Sequence, residues 1–60
     1  MIRRGSYVTW LNSLGVQQYG WVVSDVDKNG GVLVAIGALT NIGNPVMYIL
    51  VDCLKEAKGG

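Results

Sequence analysis

Histidine and phenylalanine are missing from this chain, and cysteine and proline occur once each. Without histidine, the usual general base at neutral pH and the commonest metal ligand are gone. A single cysteine, Cys53, excludes an internal disulfide and is what a reducing, cytosol-like compartment permits. With no imidazole to activate a thiolate, Cys53 reads as a small apolar residue near the last turn rather than a nucleophile. Charge is also scarce, at 15% of the residues and a formal net charge of +1. That gives no electrostatic footprint for nucleic acid or an acidic membrane. The apolar runs Val32–Ile36 and Val46–Val51 fall far short of the roughly 20 residues that span a bilayer. Met1-Ile-Arg-Arg-Gly-Ser has no apolar segment behind its arginines, so no signal peptide is expected.

What is present forms strands. Half of the residues are hydrophobic, and Gly5–Leu11 opens the chain with β-branched and aromatic residues. In it Val8 and Trp10 share one face, and Tyr7, Thr9 and Leu11 the other. Asn12–Gln18 reads as a loop. A second strand runs from about Tyr19 to Asp27, with a bulge expected near Ser24-Asp25 because the alternation of apolar residues slips there. Asn29-Gly30 is a strong hairpin signal, since a type I′ turn needs positive φ at both central residues. Val32–Ile36 and Val46–Val51 read as strands three and four, joined by a Gly- and Pro-containing loop over residues 37–45. Asp52–Ala57 reads as a helical or 3₁₀ turn running into a short last strand, and residues 58–60 as a flexible tail. The expectation is an all-β chain forming a single domain over residues 1–60.

Both faces of strands three and four are apolar, which is the pattern of a strand covered on both sides. A chain of 60 residues has little interior to supply the second cover. Leu33, Ala35, Met47, Ile49 and Val51 are therefore the expected interface of a homo-oligomer. Tyr19 and Trp21, together on the outward side of strand two, are the expected surface for a protein partner. Trp10 is expected in the core.

Other chemistry is thinly supplied. Asp25, Asp27 and Asn29 with Gly30 match the first half of a calcium loop, but Ile36 stands where its bidentate glutamate belongs, and a plain hairpin turn accounts for the same residues. The carboxylates Asp25, Asp27, Asp52 and Glu56 form no acid–base pair by spacing. No metal, cofactor or catalytic residue is expected. The terminal Gly59-Gly60 is similar to the activated end of ubiquitin-like sulfur carriers, but those need a central helix, and no ten-residue helical pattern exists here.

The Gly5-Ser-Tyr-Val-Thr-Trp opening, the Gly20-Trp-Val element and the Leu54-Lys-Glu ending together resemble small SH3-like barrels. The opening Met1–Val8 looks like the start of the family of small photosystem I proteins that dock ferredoxin, and its spacing to Gly15 and Gly20-Trp-Val is similar to bacterial Tudor-like domains. Val46-Met-Tyr-Ile-Leu-Val resembles the last third of the plasmid type dihydrofolate reductases, with Met47 where that family's signature has glutamine. The resemblance implies a five-stranded SH3-like barrel with a short turn before the last strand. It is read here as a cytoplasmic, self-associating protein-interaction module without enzymatic activity. A small-molecule enzyme built by oligomerisation and a nucleic-acid module using Arg3, Arg4, Lys28 and Lys55 are the alternatives, the latter opposed by the near-zero charge.

Overall fold

The computed structural model describes residues 2–37 and 43–57. It is an all-β unit of five strands in one antiparallel sheet: β1 (Tyr7–Leu11), β2 (Gln17–Val22), β3 (Gly31–Ile36), β4 (Val46–Leu50) and β5 (Lys55–Glu56). The order across the sheet is β4-β3-β2-β1-β5. A 3₁₀ turn, Val51–Cys53, leads the chain from β4 back to β5 beside β1. The expected tail at residues 58–60 and most of the loop over residues 37–45 lie outside the described residues.

Closure of the expected barrel is absent: the sheet is open, with β4 and β5 as its edges. Two paired residues are all that β5 contributes, and both are charged and exposed, so it extends the sheet past β1 without reaching β4.

One face of the sheet is the core. Val8 and Trp10 of β1, Val22 of β2, and Val32 and Val34 of β3 pack with Leu54, which the 3₁₀ turn folds inward. Ile2, Ile36, Ile49 and Val51 close around them. Gly20 sits at the centre of this face. A Cβ there would stand 2.5 Å from the Ala35 carbonyl oxygen and 2.7 Å from a Val34 methyl, so only glycine lets β2 lie this close to its neighbours.

Both tight hairpins close in the same way. In the β1–β2 loop, the Asn12 Oδ1 accepts the backbone N–H groups of Leu14 and Val16, and Gly15 N–H donates to the Asn12 carbonyl. Between β2 and β3, the Asp27 Oδ1 accepts from Asn29 and Gly31, and Gly30 N–H donates to the Asp27 carbonyl. Gly15 and Gly30 take φ of 78° and 79°, whereas Asn29 does not have positive φ. The Asn29-Gly30 turn is therefore not type I′. It is a three-residue loop ending in a left-handed glycine, anchored by an Asx side chain.

The expected bulge exists and is larger than one residue. Strand two ends at Val22 rather than Asp27. Val23 N–H still donates to the Leu33 carbonyl, and the next backbone link is Asp27 N–H to Gly31. Residues 24–26 therefore stand opposite Val32 alone, and the Ser24 hydroxyl accepts the Leu33 N–H that the ladder would have used.

Candidate functional site

The site is the face of the sheet opposite the core. Cross-strand partners share a face, so the register assigns every side chain. Tyr7, Trp21, Ala35 and Val46 form one row across four strands. Tyr19 pairs with Thr9, and Tyr48 with Leu33, while Leu50 lies beside Gly31. Tyr19, Leu33, Val46, Tyr48 and Leu50 are all exposed, at 41–51% of their surface. Ala35 is buried beneath its neighbours, and Tyr7 and Trp21 are half-buried. Single exposed apolar residues are ordinary, but a contiguous sheet face of them marks a contact surface.

The aromatic half of this face is ordered by ring packing. Tyr7 lies 4.6 Å from Trp21 and stacks on Tyr19 at 5.9 Å with an interplanar angle of 15°. Tyr19 and Trp21 therefore do lie together on the outward side of β2, and Tyr7 joins them from β1. The signal for Tyr7 was present in its parity with Thr9 and Leu11. Trp10 is buried on the other face, as expected.

The five residues expected at one oligomer interface do not share a face. Leu33 and Ala35 lie on the outer face, but Val34 pairs with Met47 and Val32 with Ile49, which puts Met47 and Ile49 on the core side. Val51 belongs to the 3₁₀ turn and packs on the core. A shift of one residue in the pairing exchanges the two faces of a strand, and strand parity alone does not reveal it. The structure instead brings Val46, Tyr48 and Leu50 together with Leu33 and Ala35. The surface read for self-association and the surface read for a partner become two halves of one face.

Asp27 and Tyr48 lock the β4 side of that face. The Tyr48 hydroxyl donates to Asp27 Oδ2 at 2.6 Å, and the tyrosine ring lies over Gly31, in the place a Cβ would occupy. That bond, followed by the backbone N–H of Gly31, holds the Asp27 carboxyl below its ordinary 3.8, and the same carboxylate raises the Tyr48 phenol above 10.0. Asp25 is engaged elsewhere: Arg4 Nε lies 3.3 Å from its Oδ1 and another Arg4 nitrogen donates to the Val23 carbonyl. The residues of the half calcium loop are thus a turn anchor, an ion-pair partner and a loop position. Among the described residues no group of three or more His, Cys, Asp or Glu is placed to hold a metal. Cys53 is an unpaired thiol and exposed rather than packed.

On the core side a concavity of about 400 Å³ opens between Trp10, Gln18, Ile36, Met47 and Ile49, with Asn12 and Ser13 at its rim. No ionisable side chain lines it. No helix among the described residues is long and apolar enough to cross a membrane. Comparison with protein-family models, with curated proteins and with solved structures finds no match for this chain.

Proposed function

We propose that this chain is a non-enzymatic, self-associating protein-interaction module of SH3-like design that works in the cytoplasm. The observation that carries this is the uncovered apolar face. Its β3–β4 half, Leu33, Val46, Tyr48 and Leu50, joins copies of the chain, and its aromatic half, Tyr7, Tyr19 and Trp21, meets a protein partner. The SH3-like reading is supported by β5 returning beside β1 after a 3₁₀ turn. The exposed thiol of Cys53 fits a reducing compartment. A core of six buried side chains is small, and burying a second surface against another copy adds the stability that so small a core lacks.

Sedimentation velocity at micromolar concentration tests this. The protein should sediment as a dimer or larger, and Val46→Glu should shift it to monomer while leaving circular dichroism unchanged, because Val46 is half exposed and outside the core. A wild-type monomer across that range refutes the reading.

A further inference from the structure

We infer that copies of this chain join edge to edge, through antiparallel pairing of β4 with the partner's β4 about a twofold axis at Tyr48. The inference rests on the self-association proposed above and specifies its contact.

The two edges of the sheet are unlike. The β5 edge is two residues long and both are charged, which is how natural sheets protect an edge. The β4 edge, Val46-Met-Tyr-Ile-Leu50, holds no charge and no proline, and no described strand covers it. Only Pro45 before it and Asp52 beyond it bound the open stretch.

The hydrogen bonding shows what that edge presents. Ile36 N–H donates to the Pro45 carbonyl, and Val51 N–H donates to the Gly30 carbonyl. With the register between them, these bonds place the N–H and C=O groups of Met47 and Ile49 toward β3. On the other side of β3, Val23 N–H to Leu33 and Gly37 N–H to Tyr19 give the complementary alternation. The N–H and C=O groups of Val46, Tyr48 and Leu50 therefore point out of the sheet. An extended strand is the chemistry that satisfies such a row.

A second β4 fits it better than a charged or polar strand. Pairing about Tyr48 sets Val46 opposite the partner's Leu50, Tyr48 opposite the partner's Tyr48, and Leu50 opposite the partner's Val46. All three outward-pointing residues are then used on both copies, and the contact is isologous. The apolar row on the outer face and the Met47–Ile49 row on the core side both continue across the seam. Tyr48 leaves the edge open, because its ring is drawn back over Gly31 and held by Asp27.

Proline at position 50 isolates the backbone contribution. Leu50 has φ −71° and ψ 138°, which proline adopts without strain, and its N–H is not part of the β3–β4 ladder. Leu50→Pro should stay folded by circular dichroism and weaken self-association at least about tenfold, since both symmetry-related copies of one pairing bond are lost. Leu50→Ala keeps the N–H and should weaken it less than Leu50→Pro does. Amide hydrogen exchange on the wild type gives a readout that needs no variant. Protection of Val46, Tyr48 and Leu50 should rise with protein concentration, while Met47 and Ile49 stay protected throughout. A dimer that survives Leu50→Pro undiminished, or exchange at Val46, Tyr48 and Leu50 that ignores concentration, overturns the edge pairing and leaves self-association standing. A wild-type monomer refutes both.

Discussion

The residue that organises the most structure is Asp27, and none of its roles is chemical turnover. Its Oδ1 closes the β2–β3 turn and its Oδ2 receives the Tyr48 hydroxyl, so one carboxylate ties the turn to the edge strand. Because the Asp27 pKa is lowered in the folded protein, its contribution to stability is fully present above 3.8. It is lost as the pH falls through the lower folded value. For Tyr48 the sign is reversed: its raised pKa makes the contribution complete below 10.0 and lost as the pH rises through the higher folded value. Tyr48→Phe removes the largest cause of the Asp27 shift. Its Asp27 carboxyl should titrate closer to 3.8 by NMR, and its melting temperature should fall below wild type at neutral pH. The difference should shrink once the pH is well under 3.8. A gap between the two proteins that persists at that pH would show that the ring, not the charged hydrogen bond, does the stabilising.

Among the elements, the two hairpin loops show what the sequence reveals and what it hides. The loops over residues 12–16 and 27–31 share an Asx residue three positions before a left-handed glycine. Neither glycine has an atom within 4 Å of the site of a Cβ, so the cost of a side chain is conformational alone. Gly30→Val and Gly15→Val should each destabilise by about 1–2 kcal/mol in urea denaturation, and Asn at either position by less. The hairpin at Asn29-Gly30, the strand count and the 3₁₀ turn before β5 were legible, because β-branched runs and turn residues report local preference directly. The turn type was not, since Asn-Gly is equally good as the end of a three-residue loop once Asp27 supplies its carboxylate. Nor was the face assignment of Met47 and Ile49. That depends on which residue of β4 opposes Leu33, a non-local fact fixed by the bond from Ile36 to Pro45 across the sheet. The slip at Ser24 was visible as broken alternation. Its size was set by Arg4, which reaches across to hold Asp25 and the Val23 carbonyl.

For the whole molecule, edge pairing has a consequence that separates it from face-to-face packing. Tyr7, Tyr19 and Trp21 lie on β1 and β2, with β3 between them and the β4 seam. Copies joined at β4 leave this aromatic cluster open on both protomers, so the assembly offers the partner two equivalent surfaces, and bivalent engagement raises avidity without a new contact. Copies stacked face to face would cover the cluster instead. Trp10 is buried and Trp21 half-buried, so the two tryptophans report separately. Acrylamide should quench Trp21 in the wild type to the same degree at low and high protein concentration. Trp21→Ala should leave only the shielded emission of Trp10, without altering the sedimentation coefficient. Quenching that weakens as the protein associates would mean that the aromatic face is itself the seam. The partner surface and the self-association surface would then be one and the same, and binding a partner would require the copies to part.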